Sequence, residues 1–343
     1  MSKERQNRLV GPVMALRTFT TEDGELNLEK QRFHLNWVIE QGITEGNGVI
    51  MVAAGGSEGY FMSDAEWEAH VEMAAEVSNG RVPIAAGIFE LSAREAVKKA
   101  EFAARVGIDF VQVAPPHYMV PTDDEVANHY QYINDAVDVG IFAYNTPWAM
   151  PQPGYDFTEK VFERLAQMEN VEGVKWSSHD QAHFVAMARL FAGELNFICN
   201  QTTNVLSLPI KLGFTGFINS DGLVAPRLAL HMWEQWRSKR YDEFDDLMLK
   251  LYVDPYLRLT QPEDITWASM GEGPFVRAGM EALGMKMGPS FPAQQAMSDD
   301  TVRQRVEGVR TSGILGWVDW DEGLWEESRA GAREEAAVAD DDD

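Results

Sequence analysis

The sequence has one cysteine in 343 residues, Cys199. That excludes an internal disulfide framework and any zinc or iron–sulfur cluster built from cysteines. Lysine is also scarce: 10 Lys stand beside 19 Arg, and these 29 cations face 54 acidic residues, a net charge of −25. So negative a chain disfavours binding to nucleic acid or to anionic membranes, which both require a basic surface. No apolar run approaches the ~20 residues that span a bilayer. The N-terminus, Met1 to Arg8, is basic, but no apolar signal core follows it, so a cytoplasmic protein is expected. Neither a Gly-x4-Gly-Lys-Ser/Thr phosphate loop nor a His-Glu-x-x-His metal site occurs.

What is present is the composition of a globular chain, 45% hydrophobic and 24% charged, long enough to bury a core without staples. Part of the acidity is local. From Trp317 to Asp343 there are 11 acidic residues against 2 Arg, a net of −9, which leaves −16 for the rest. The terminal Asp340–Asp343 run repels itself and is expected to be disordered. For the remainder two readings stay open, adaptation to high salt and ordinary solubilising surface charge.

Short apolar runs alternate with longer amphipathic ones. The apolar runs are Val13–Phe19, Gly48–Ala54, Pro83–Phe89, Phe110–Pro116, Gly140–Thr146, Val171–Ser177, Asn196–Gln201 and Gly213–Ser220. Several are almost continuous in Val, Ile, Ala and Phe, as strands buried on both faces of a parallel sheet must be. Ser63-Asp64-Ala65-Glu66 reads as a capping box that opens a helix towards Ser78. Ser92–Val106, Thr122–Val139 and Thr158–Met168 have one apolar face each. Eight such β-α units in ~220 residues predict an α/β fold, a (β/α)₈ TIM barrel, over residues 1–225. A doubly wound open sheet is the runner-up, but the first strand is followed by Thr18-Phe19-Thr20-Thr21 rather than a Gly-rich turn. Helical patterns at Arg227–Lys239, Tyr241–Leu259, Pro274–Leu283 and Ser298–Arg310 predict a C-terminal helical extension over 226–312. Residues 313–343 then form a Trp-rich arm and an acidic tail. Trp317, Trp320 and Trp325 are expected to dock either on the protein's own surface or on a neighbouring subunit.

In such a barrel the chemistry sits at the C-terminal strand ends. The second run ends in Gly55-Gly56-Ser57, where bare backbone and a hydroxyl can cradle a carboxylate. A plain βα turn is the alternative. The fourth ends in His117-Tyr118, the fifth in Tyr144 and the sixth in Lys175. A lysine inside an apolar strand is costly when charged, so its pKa is expected to fall and leave a nucleophilic amine. Tyr144, one strand away, would shuttle the protons of that chemistry, and Tyr118 would extend the relay. His179 and His183 stand four apart and would share a helix face, which would suit a metal, but such spacing is common by chance.

Gly55-Gly56-Ser57, Pro116-His117-Tyr118, Tyr144-Asn145-Thr146-Pro147, Gly173-Val174-Lys175 and Gly213 to Asn219 occur in order. In this the chain resembles the dihydrodipicolinate synthase / N-acetylneuraminate lyase family over about residues 9–290. The Tyr-Asn-x-Pro and Gly-Val-Lys pair is the most specific part of the likeness. The resemblance implies a class I aldolase or lyase, with Lys175 as the Schiff-base lysine, Tyr144 as the proton-relay phenol and Tyr118 completing a relay across a tight dimer. It further implies that Gly55, Gly56 and Ser57 hold a pyruvyl carboxylate, that Gly216 and Ile218 line the pyruvyl pocket, and that the assembly is a homotetramer. The partner is then a small 2-oxo acid, and neither a metal nor an organic cofactor is expected, because the iminium is itself the electron sink.

The chain departs from the family in two places. Glu58-Gly59 follows the cradle where the family has Gly-Glu. After Tyr-Asn-x-Pro, the synthases carry an arginine for the second substrate's carboxylate, but Trp148-Ala149-Met150 stands here. Its absence removes a charge-assisted contact worth roughly 1.5–3 kcal/mol. Trp148, Tyr60 and Phe61 suggest a larger or more apolar second substrate, or merely pack the loop. Four activities stay open: a pyruvate aldolase, a decarboxylating dehydratase like those acting on 5-dehydro-4-deoxyglucarate, a hydratase-aldolase for aromatic substrates, and 4-hydroxy-tetrahydrodipicolinate synthesis. A non-catalytic sensor of oxo or sugar acids is the alternative from another class. Retention of both Lys175 and Tyr144 favours the enzyme.

Overall fold

The computed structural model describes residues 3–253, 273–294 and 296–330. Eight strands, β1 (Gly11–Ala15), β2 (Val49–Val52), β3 (Ile84–Ile88), β4 (Phe110–Val113), β5 (Gly140–Tyr144), β6 (Val171–Trp176), β7 (Asn196–Cys199) and β8 (Gly216–Ile218), close into one parallel barrel. Each lies within or overlaps one of the apolar runs above. The barrel closes where Gly11, Pro12 and Val13 of β1 pair with Gly216, Phe217 and Ile218 of β8. A Cβ on Gly216 would lie 2.1 Å from the Gly11 carbonyl oxygen, so this seam admits no side chain there.

The strands alternate between two cores, as period-two side chains must. Val13, Ala15, Val49, Met51, Ala85, Phe110, Phe142 and Ile198 fill the interior of the barrel. The larger core lies between strands and helices, where Trp67, Trp176, Phe197 and Phe217 are fully buried.

The helices start where local chemistry dictates. Helix α1 (Lys3–Gln6) precedes β1, and α2 (Leu28–Glu40) follows it. In α3 (Asp64–Ser78), Ser63 Oγ accepts from the Glu66 N–H at 3.3 Å and Glu66 returns a bond to the Ser63 N–H at 2.7 Å. Thr122 and Glu125 repeat this box for α5 (Asp123–Asn134), after α4 (Ala93–Val106). The pattern towards Val139 stops early at Asn134, whose side chain and carbonyl accept from Asn170 at 2.9 and 3.1 Å and turn the chain towards β5. Helices α6 (Glu159–Leu165), α7 (Gln181–Phe191), α8 (Thr202–Val205) and α9 (Leu208–Leu212) complete the ring up to β8.

Helix α10 (Pro226–Arg237), which the sequence pattern assigns to the C-terminal extension, lies against β1, in the position of an eighth barrel helix. Beyond it come α11 (Tyr241–Met248), a π-helical turn at Leu249–Val253, α12 (Gly273–Ala282) and α13 (Asp299–Ser312). Residues 254–259 of the expected Tyr241–Leu259 helix and the acidic tail from 331 lie outside the described residues. Helices α12 and α13 pack on one another, α12 meets the Gly55–Ser57 turn and α13 the π-helical turn. The arm docks on its own chain. Trp320 is buried edge-on against Phe33, His34 and Trp37 of α2, and Trp317 stacks on His231 of α10.

Candidate active site

Strands β5 and β6 begin in one register and end in another. Ile141 pairs with Val171, but Phe142 pairs with Gly173, so Glu172 is bulged out of the ladder. A one-residue slip turns side chains to the opposite face of a strand. Without the bulge Tyr144 would stand beside Val174. With it Tyr144 stands beside Lys175, and both side chains project to one side. The Lys175 Nζ lies 4.0 Å from the centre of the Tyr144 ring. Both residues are buried, 5% and 4% exposed. Buried Tyr130 fixes the end of β5, its phenol donating to the Val113 carbonyl at 2.8 Å and accepting from the Tyr144 N–H at 3.3 Å. Asn145 donates its N–H to the Lys175 carbonyl at 3.2 Å, and its side chain ties Asp156, Phe157 and Ser177 together.

Lys175 opens on a cavity of about 370 Å³. Ala15, Met51, Gly56 and Ile218 form its barrel side, and α12 and α13 roof it. Gly55, Gly56 and Ser57 form a 3₁₀ turn entered through Ala53 and left through Glu58, both with positive φ (47° and 57°). Left-handed backbone at buried non-glycine residues stores strain of the kind that gathers at functional sites. A Cβ on Gly59 would lie 1.8 Å from the Ala53 carbonyl oxygen, so the turn needs glycine next to Glu58. The turn uses the Ser57 and Glu58 N–H groups internally, on the Ala54 and Gly55 carbonyls at 3.0 and 2.9 Å. The Ser57 hydroxyl is buried and has no hydrogen-bond partner among the described residues.

Of the residues expected from sequence, Lys175, Gly56 and Ile218 line the cavity, and Tyr144 abuts the lysine. Gly55 and Ser57 share the turn with Gly56, and Gly216 lies in the β8–β1 seam below Ile218. Tyr118 and His117 do not line it: Tyr118 is 78% exposed and His117 Nδ1 lies 3.2 Å from the Pro115 carbonyl. Trp148 belongs to the 3₁₀ turn Pro147–Ala149. Tyr60 and Phe61 pack on each other, on Phe89 and on Phe291. His183 sets Nε2 2.8 Å from the Phe157 carbonyl, while His179 is exposed.

Sequence reasoning passed over Arg17, Asp221, Tyr252 and Arg305, which line the same cavity. Burial pushes the Asp221 carboxyl above the usual carboxylate range, against the pull of Arg17 and Arg305 and a hydrogen bond from Tyr252. Burial likewise drives the Tyr252 phenol well above its ordinary value. Arg17 carried a readable signal, a charged residue at the end of the first apolar run, the same signal that singles out Lys175. Tyr252 and Arg305 carried none, since they come from elements far along the chain.

A profile of the dihydrodipicolinate synthetase family matches residues 8–262. The chain belongs to this family. It is a lyase of the class I aldolase type. A 4-hydroxy-tetrahydrodipicolinate synthase of Methanopyrus kandleri is 28% identical over 90% of this chain and 98% of its own length. One from Methylobacterium radiotolerans is 32% identical over 68% of this chain and 75% of its own. Among solved structures, the dihydrodipicolinate synthase of Acinetobacter baumannii complexed with pyruvate superposes with a TM-score of 0.76 at 22% identity, covering 89% of this chain and 99% of that one. At that identity the superposition shows the fold alone. Membership in the family thus rests on sequence, and the barrel on both.

Proposed function

We propose that the protein forms a Schiff base between Lys175 and pyruvate or another 2-oxo acid, and makes or breaks the C3–C4 bond, one carbon removed from the former carbonyl. The observation that carries this reading is the lysine amine held against the Tyr144 ring where it opens on the cavity. The neutral amine attacks C2 of the oxo acid and gives a carbinolamine. The Tyr144 phenol protonates the departing hydroxyl, water leaves and an iminium remains. Loss of a proton from C3 gives an enamine, which adds to an aldehyde; run backwards, the same steps cleave the bond and release the aldehyde. Water then hydrolyses the iminium and restores the amine. The iminium accepts the electron pair, so no external cofactor enters the scheme. Gly56 and the buried Ser57 hydroxyl offer the C1 carboxylate its partners.

The 2-oxo acid class is supported by the curated relatives, named as 4-hydroxy-tetrahydrodipicolinate synthases, and by the pyruvate in the Acinetobacter baumannii complex. The exposure of Tyr118 supports a homotetramer in which it reaches a neighbour's site. A cytoplasmic location goes with this reading, and no helix among the described residues is long and apolar enough to cross a membrane. Borohydride reduction with pyruvate is expected to leave one reduced pyruvyl group on the peptide that contains Lys175. No adduct with pyruvate or with a panel of longer oxo acids would remove the reading and favour a sensor. A second reading, loss of water and carbon dioxide from a sugar acid, is favoured by the polar cavity wall of Asn200, Thr203 and Ser220. Pyruvate release against carbon dioxide release separates the two, and a coupled assay with aspartate semialdehyde tests 4-hydroxy-tetrahydrodipicolinate synthesis.

A further inference from the structure

We propose that Arg17 and Arg305 form a distal carboxylate subsite, so that the substrate taken at Lys175 is a 2-oxo acid carrying a second carboxylate at the far end of its chain. This rests on the Schiff-base reading and adds to it the class of the substrate's other end. The two guanidinium groups come from different parts of the molecule. Arg17 follows β1 at the barrel rim, and Arg305 belongs to α13 in the roof, yet both line the cavity into which Lys175 opens. Asp221, whose buried carboxyl feels the charge of both, lines the same cavity.

Each guanidinium is held in a built position. Arg17 is 8% exposed, and its Nη1 donates to the Gly56 carbonyl at 2.7 Å, which links it to the cradle turn. The Arg305 guanidinium lies 3.8 Å from the centre of the Phe275 ring of α12. A Cβ on Gly279 would come within 2.8 Å of Arg305 Nη2, so α12 leaves room for this group by having glycine there. A planar guanidinium offers paired N–H donors that match a carboxylate, and burial makes such charge-assisted bonds stronger than in water. The loop after β5, from Pro147 to Gly154, contains no Arg or Lys that could do the same work. A cavity of about 370 Å³ admits a dicarboxylate of five or six carbons between lysine and roof.

The test uses the whole protein and two oxo acids of equal chain length. 2-Oxoglutarate ends in a carboxylate and 2-oxopentanoate in a methyl group, and pyruvate is run in parallel. For each, the concentration that half-saturates borohydride trapping at Lys175 is measured by mass spectrometry. A charge-assisted pair predicts half-saturation by 2-oxoglutarate at about ten- to hundredfold lower concentration than by 2-oxopentanoate. Arg305→Gln and Arg17→Gln should each collapse that ratio to about threefold or less, and Arg305→Lys should restore part of it. The wild-type ratio needs no variant, so a misfolded variant cannot rescue the idea. A wild-type ratio near one, or a ratio untouched by both Gln variants, overturns the subsite while pyruvate labelling leaves the Schiff base standing. Failure of all three acids to label Lys175 overturns both.

Discussion

At the N-terminal end of the barrel, Arg8 reaches Asp109 and, at 3.0 Å, Glu45, while Arg5 reaches Asp138 at 2.6 Å and Asn170 at 3.2 Å. Fully buried Leu9 packs into the barrel interior beside them. At the opposite end, buried Lys175 faces an aromatic ring and a cavity rather than a close-packed plug. The same eight strands thus carry charge at both ends, but one end spends it on joining α1 to the strand starts and the other keeps it beside open space. The difference is what separates a stabilising face from a reactive one in this fold. One closed pair does occur at the reactive end. Glu58 of the cradle turn and Arg277 of α12 meet at 2.8 Å, with 2% and 4% side-chain exposure, and Arg277 also donates to the Met287 and Gly288 carbonyls at 3.2 Å. That pair ties the roof to the turn.

The contrast is broken most sharply at Lys175. Lys175→Ala should abolish turnover and the borohydride adduct while the far-UV circular dichroism and the thermal transition persist; retained turnover would show that the open end is not reactive. Tyr144→Phe should slow turnover by ~10²–10⁴, the usual worth of positioned acid–base catalysis. Full activity in that variant would assign the ring a packing role only. Arg277→Met leaves Glu58 buried without its partner, and chemical denaturation should show a loss of roughly 3–5 kcal/mol. A loss under about 1 kcal/mol would mean the roof is held by its apolar contacts instead.

The smallest effect belongs to the stabilising face. Burial pushes the bulged Glu172 from its ordinary 4.5 up to about 7, with Arg5 at 3.8 Å opposing only in part. The folded state therefore keeps this proton longer than the unfolded chain does. The contribution of Glu172 to stability is fully present below about pH 4.5 and is lost as pH rises towards 7. Glu172→Gln should flatten that slope, by on the order of 1–2 kcal/mol across the window. An unchanged pH profile of melting temperature would show that the bulge does not carry the titration.

The α/β barrel was legible because its signals are local. Each strand is a short apolar run, each capping box spans four residues, and burial on both faces leaves no polar alternation to misread. Lys175 and Tyr144 were legible for the same reason, as polar side chains at the ends of such runs. Their place on neighbouring strand ends was legible too, but the exact pairing of Tyr144 with Lys175 was not, because the register depends on a single bulged residue, Glu172, whose effect appears only when two strands pair. The internal hydrogen bonds of the Gly55–Ser57 turn, and the choice of the arm to dock on α2, likewise depended on geometry that composition does not encode.

By itself, the sequence determined the barrel, its order of strands and the lysine proposed as the nucleophile, since periodicity and side-chain type act within a few residues. Only the tertiary structure decided which groups share the cavity with that lysine. Arg17, Asp221, Tyr252 and Arg305 come from four separate parts of the chain, and their meeting depends on how the end of β1, the turn after β8, the π-helical turn and α13 pack together. Packing of distant elements sums many weak contacts, and no local pattern carries that sum.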